Sequence, residues 1–324
     1  MISVCTLTAR RGFVEYQAQC LANQVGIDKK DLVWILVDFA YEERSKMVKD
    51  LAKDLDLNII HVPNVRTDQR LFFRDIARNR NKAIALAAGI DGGTDAIFMD
   101  DYCLVPPEFV EKHVQLLNKG HVSVGMMSRI HTNIDMGIHG KDCQNLIKEI
   151  LDNRHGEVLK DDRNGIGDIY ACGMCTYTGN LGLPKKVYLT LNGFDPRMES
   201  GLEDCDIGMR LHFCGFKSYF TPFAYTINMD GNTIPYCYQF DHNHDVEPFI
   251  SNEINKFAGD DKLSENEFMT VEFFENYRIA TCKICGATGM IDPRELMRYK
   301  RNVNEFRVPN NLPGGFDEYF YAKN

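Results

Sequence analysis

Short apolar runs alternate with amphipathic stretches from the first residues to about residue 230. Residues 2 to 9 and 32 to 38 are continuous apolar runs, and Phe13, Tyr16, Cys20 and Leu21 fall at helical spacing between them. A helical pattern over about 41 to 55 leads to an apolar run at 57 to 63, and a second one around 72 to 89 leads to another at 95 to 99. Strands that are apolar throughout and joined by amphipathic helices predict an α/β fold with a mainly parallel sheet covered by helices on both faces. After Gly120 a strand is expected at 122 to 127, followed by a polar loop region from about 131 to 167 with one short helix near 141 to 152. The length of that loop suggests a cover over a site.

One run ends abruptly. Asp95-Ala96-Ile97-Phe98-Met99 stops at Asp100 and Asp101, followed by Tyr102, Cys103, Leu104, Val105 and two prolines, Pro106 and Pro107. Two acids at the carboxyl end of a buried strand face the crevice where open α/β sheets bind ligands, and their hard oxygens suit a divalent cation. A solvated Asp-Asp turn is the plain alternative.

Composition narrows the function classes. The chain has 324 residues, 44% hydrophobic and 26% charged, with a formal charge of -9, which gives no global attraction to nucleic acid or anionic membrane. Eleven cysteines scattered along the chain fit a reducing, cytoplasmic setting better than a disulfide framework. No apolar run of membrane-spanning length and no basic leader are apparent, so neither a membrane span nor a signal peptide is expected. The glycine signatures of dinucleotide and P-loop sites are missing. Any phosphate therefore has to meet side-chain cations or a metal.

Cations precede the acidic strand. Arg74, Arg78 and Lys82 stand at i, i+4 and i+8 and share one helical face, which could pair with phosphate oxygens or simply be solvated. Asp38 ends the second apolar run, placed to accept from a base or ribose or to cap a turn. A second acidic cluster, Glu203, Asp204 and Asp206, opens a helix whose apolar positions include Ile207 and Leu211. Acids at a helix N-terminus are stabilised by the dipole. Three acids in four residues exceed what capping needs and suggest a base or a ligand.

Taken in order, these pieces resemble the family 2 glycosyltransferases with the GT-A fold. The resemblance covers about residues 1 to 230: Asp38, Ala77-Arg78-Asn79, Phe98-Met99-Asp100-Asp101, Gly179-Asn180-Leu181-Gly182-Leu183-Pro184, Asn192-Gly193-Phe194-Asp195, and Gly201 to Leu211 with its Glu-Asp-Cys-Asp core. It implies a GT-A type mixed, mainly parallel sheet flanked by helices, and an inverting, nucleotide-sugar-dependent transferase using Mn2+ or Mg2+. It further implies that Asp38 contacts the nucleobase, uracil for a UDP-linked donor, and that Arg78 and Asn79 line the donor. Thr8, Arg10, Arg74, Lys82 and Asp100 complete the expected donor set. Asp204 would be the base and Glu203 would orient the acceptor. The family's metal motif is Asp-x-Asp, and here Tyr102 holds the final acid's place. Asp101 is then the expected metal ligand, with His242 or His244 as a third.

The implied organisation is a GT-A domain over 1–230, with a nucleotide-sugar half of about 1–105 and an acceptor half of about 106–230, and a C-terminal extension over 231–324. In the extension Cys282 and Cys285 form a Cys-x-x-Cys pair, and Cys172 and Cys175 form another, so four thiolates could hold one structural Zn2+. Unpaired buried thiols are the alternative. A locally basic stretch at 294 to 307 could meet an anionic acceptor or be a solvated helix. The acceptor stays open among a glycan, a protein and a modified nucleic acid. The two competing functions are a nucleotidyltransferase and a non-catalytic, zinc-containing module that binds nucleic acid or glycan.

Overall fold

The computed structural model describes residues 1–9, 13–65, 75–130, 140–158, 169–170, 176–197, 203–229 and 307–321. Its first half is three strand-helix units and a fourth strand: β1 (Ile2–Thr8), α1 (Phe13–Ala22), β2 (Leu32–Asp38), α2 (Tyr41–Asp54), β3 (Asn58–Pro63), α3 (Ile76–Gly89) and β4 (Asp95–Asp100). The second half runs β5 (Cys103–Leu104), α4 (Phe109–Leu117), β6 (Val122–Ile130), α5 (Gly140–Val158), β7 (Ile169–Tyr170), β8 (Asn180–Leu183), α6 (Lys185–Leu191), α7 (Glu203–Phe213) and β9 (Ser218–Met229). A last helix, α8 (Phe316–Tyr321), follows.

These strands form one sheet in the order β3-β2-β1-β4-β8-β6-β9-β5, with β7 beside β9. The long ladders, β1 with β2 and β4, β2 with β3, and β6 with β9, are parallel, while β8 runs antiparallel to both its neighbours. The sheet is thus mixed and mainly parallel; its parallel part is what the continuous apolar runs predict. Every residue of β2 is buried, including Trp34, whose indole N–H donates to Thr6 Oγ1 at 3.0 Å. A polar atom on the only tryptophan is thereby satisfied inside the core.

One expectation needs correction. The helix expected near 141 to 152 continues to Val158. Its later residues, Asn-Arg-His-Gly-Glu, carry no apolar stripe to announce the extra turns. The helix expected from residue 72 is described only from Ile76, and 66–74 lie outside the described residues.

Residues 307–321 pack onto the same core. Phe316 is buried against Tyr188 with ring centroids 6.1 Å apart, and Asn81 Nδ2 donates to Gly314 O at 3.0 Å. Arg307 Nη1 donates to Leu189 O and Thr190 O, both at 3.0 Å, capping the carbonyl end of α6. Among the described residues no helix is long and apolar enough to cross a membrane.

Candidate active site at the carboxyl edge of the sheet

The chain moves outward from β1 through β2 to β3, then returns to the other side of β1 to lay down β4. That reversal opens a crevice at the carboxyl ends of β1 and β4, the place where α/β sheets bind ligands. Register fills it with polar groups: Thr8 lies opposite Asp38, and Leu7 opposite Asp100. Asp101 Oδ2 reaches across the reversal to accept from Ala9 N at 2.9 Å. Thr8 Oγ1 is buried with no hydrogen-bond partner among the described residues.

The floor beside Asp100 is made by β8. Asp100 N donates to Gly179 O at 3.3 Å, and a Cβ on Gly179 would stand 2.5 Å from Asp100 Oδ2. Only a glycine leaves that carboxylate its space. The next residue, Asn180, fills a bulge between β6 and β9 by donating to Met126 O at 2.8 Å and Ala224 O at 2.7 Å. Its Oδ1 meets His113 Nε2 at 2.8 Å, and His113 Nδ1 meets Ser123 Oγ at 2.8 Å. Since the Asn180 amide nitrogen is committed to two carbonyls, Oδ1 is the acceptor, so Nε2 carries the imidazole proton and Nδ1 accepts from the serine. Burial pushes the His113 pKa down to about 4, which keeps the ring neutral.

The facing wall is the N-terminus of α7. Glu203 is buried and forms an ion pair with Arg80 of α3, while Asp204, one residue on, is half-buried. Arg80 lies in the electrostatic field of both Asp204 and Asp100, and its guanidinium carbon sits 5.7 Å from the centroid of Phe194. Burial lowers its pKa to about 10, partly offset by the two acids, so it stays cationic at neutral pH. One buried cation therefore joins the acids ending β4 to the acids opening α7.

Further pairs set the direction of α7. Arg210 bonds Asp206 Oδ2 at 2.8 Å through Nε and Gly193 O at 2.9 Å through Nη1, tying the helix to the turn after α6. Burial raises the Asp206 pKa despite Arg210. Burial acts the same way on Asp195, but the fork of Arg197 outweighs it and holds that carboxyl below the ordinary range.

Other expected site residues have internal partners. Asp38 is fully buried: Oδ1 accepts from Ala40 N at 2.7 Å and pairs with Arg44, and Oδ2 meets His61 Nε2 at 2.9 Å. Arg78 Nη1 donates to Pro313 O at 2.8 Å and pairs with Asp75 at 3.4 Å. Asn79 bridges both backbone groups of Val65, at 2.6 and 3.1 Å, and Lys82 Nζ donates to Pro63 O at 2.5 Å. Of the cationic face read from the sequence, Arg78 and Lys82 thus hold backbone carbonyls of neighbouring segments. The arginine that meets the acids, Arg80, is absent from that reading. Its signal was available: Ala77, Arg80, Ile84 and Ala87 share one stripe of α3, and all four are buried. A charge on the apolar stripe of a helix demands a partner.

Arg10, Arg74, His242 and His244, and the four cysteines at 172, 175, 282 and 285, lie outside the described residues. Among the described residues no group of three His, Cys, Asp or Glu side chains is placed to hold a metal.

No protein-family model matches the chain, and no curated protein matches its sequence. Solved structures do. S. aureus TarS 1-349 in complex with UDP-GlcNAc superposes with a TM-score of 0.50 at 11% identity, over 94% of this chain and 83% of that one. The chain has a GT-A type fold. The mannosyltransferase PcManGT from Pyrobaculum calidifontis, in complex with GDP-Man and Mn2+, gives a TM-score of 0.47 at 13% identity over 92% of this chain and 78% of that one. GalNAc-T7 with UDP, GalNAc and Mn2+ gives 0.48 at 14% identity, over 71% of this chain and 44% of that one. Of these three, the TarS comparison alone reaches the level that shows a shared fold.

Proposed function

We propose that this chain is an inverting glycosyltransferase that moves a sugar from a nucleoside-diphosphate sugar, UDP-linked in the first instance, to an acceptor hydroxyl. The observation that carries this reading is the buried Arg80, which pairs with Glu203 and lies in the field of Asp100 and Asp204. It makes one site of two acidic clusters far apart in sequence. The GT-A fold, shared with a protein whose structure holds UDP-GlcNAc, supports the same reading.

The donor set at the strand ends fits a hard divalent cation, Mn2+ or Mg2+. Asp100 and Asp101 offer carboxylate oxygens, Gly179 leaves the space beside Asp100, and such ions are commonly held by one or two carboxylates with substrate phosphates and water completing the shell. When bound, the cation would stabilise the charge that develops on the departing diphosphate. His242 and His244 remain proposed as further ligands, and Cys172, Cys175, Cys282 and Cys285 as a structural zinc site.

The chain's own residues supply the rest. Thr8, whose hydroxyl has no partner among the described residues, lines the donor crevice. Arg80 holds positive charge in a dry setting, where it opposes the build-up of negative charge most effectively. Asp204 takes the proton of the attacking hydroxyl, because of the paired acids it is the half-buried one; Glu203 is engaged with Arg80 and sets that arginine's position. Inversion follows from a single attack on the face opposite the diphosphate.

The test is ligand protection and turnover across UDP-, GDP- and other nucleotide sugars, with and without Mn2+, against glycan, protein and modified nucleic-acid acceptors. Metal-dependent donor binding with sugar transfer is the expected result. Release of pyrophosphate from a nucleoside triphosphate would favour a nucleotidyltransferase instead. Acceptor binding with no donor binding would favour a non-catalytic module.

A further inference from the structure

Asp100 ends β4 and Asp101 opens the short turn to β5, and the backbone around them is held from two sides. From β9, Met229 N donates to Tyr102 O at 2.8 Å, and Cys103 Sγ donates to Asn228 Oδ1 at 3.0 Å. From α1, Gln17 donates through one amide nitrogen to Asp100 O at 2.5 Å and to Cys103 O at 3.4 Å. Those two carbonyls bracket Asp101 and Tyr102, the two residues of the turn. Gln17 is fully buried, and its Oε1 has no hydrogen-bond partner among the described residues.

A fully buried amide on an otherwise apolar helix face is costly unless it is bonded, and here its bonds reach out of α1 to the turn. Phe13, Tyr16, Cys20 and Leu21 around it are all buried. An apolar side chain would serve packing equally well. With Asp101 Oδ2 already tied to Ala9 N, the placement of Asp100 depends on the backbone of the turn, and Gln17 spans that turn from end to end.

We infer that Gln17 is a positioning residue for the Asp100–Asp101 pair, fixing the turn so that both carboxylates serve one divalent cation. This inference rests on the donor-site reading. The loss of a partner that orients a metal ligand typically lowers metal affinity about 10- to 100-fold.

The experiment titrates Mn2+ into the full chain in the presence of UDP and follows free Mn2+ by electron paramagnetic resonance, with thermal melts alongside. Gln17→Met keeps the shape and removes the donor. Gln17→Asn keeps an amide that falls short of the turn, and serves if the first variant fails to fold. The control is Ser3→Ala, which removes the 2.6 Å bond between Ser3 Oγ and Thr94 Oγ1 at the opposite end of β1. Both Gln17 variants are expected to raise the Mn2+ dissociation constant about tenfold or more, while the control melts earlier and binds Mn2+ as the wild type does. Gln17 variants that melt early but bind Mn2+ normally would overturn the inference and leave the donor site standing. A wild-type chain that binds no Mn2+ with UDP would remove both.

Discussion

Arg80 on α3 and Glu203 at the start of α7 form a buried ion pair, and through it the carboxyl ends of the first strands and the acidic helix become one site. Removing one partner of such a pair leaves the other charged in a dry environment. Arg80→Met should therefore cost about 3–5 kcal/mol of stability, read from urea denaturation. The double variant Arg80→Met with Glu203→Gln should regain most of that loss, because no lone charge remains. Sugar transfer should stay depressed about 100-fold or more in both, since the cation facing Asp100 is gone. Recovery of transfer along with stability would show that Arg80 is only a strut.

Asp204 lies beside this pair but keeps partial exposure. Asp204→Asn preserves the shape of the helix N-terminus and removes the proton acceptor. Transfer should fall about 10²- to 10⁴-fold with donor affinity little changed. A folded Asp204→Asn protein that transfers sugar near the wild-type rate would exclude Asp204 as the base.

Sequence is informative about some of these features and silent on others. Continuous apolar runs such as 32–38 identify buried parallel strands, because only a sheet covered on both faces hides every residue. The acids ending β4 were legible for the same reason: an apolar strand that stops in carboxylates marks its own end. β8 was legible only as a motif, since Gly182 interrupts it; a Cβ there would stand 3.2 Å from His113 Nδ1. Helix faces were harder to assign. Spacing alone groups Arg78 with Lys82, whereas the carbonyls they bond, Pro313 O and Pro63 O, lie on other segments. Gln17 gave no signal at all, because its worth depends on a turn more than eighty residues away.

Gly179 offers a steric probe of the same acids. Its φ is not positive, so alanine meets no backbone penalty, and the clash is with Asp100 Oδ2 at 2.5 Å and Met127 Cε at 2.8 Å. Gly179→Ala should cost about 1–3 kcal/mol and should weaken Mn2+ binding in the presence of UDP. Gly182→Ala, crowding His113 and Ser123 instead, should cost stability while leaving Mn2+ affinity intact. Equal metal affinities in the two variants would separate Gly179 from the site.

His113 makes stability depend on pH in a stated direction. Burial lowers its pKa to about 4, against about 6.5 for an exposed histidine. Between those values the unfolded chain takes up a proton that the folded chain refuses, so stability falls as the pH falls through this window. The loss begins near the unfolded value, is complete below the folded one, and amounts to about 3 kcal/mol. His212, whose pKa burial also lowers to about 4, adds a loss of the same sign. His113→Gln removes the first of these groups. Urea midpoints measured from about pH 7 to about pH 4.5 should therefore decline less steeply in this variant than in the wild type. Parallel declines would mean that His113 already carries a proton in the folded chain, with Ser123 and Asn180 both accepting from it.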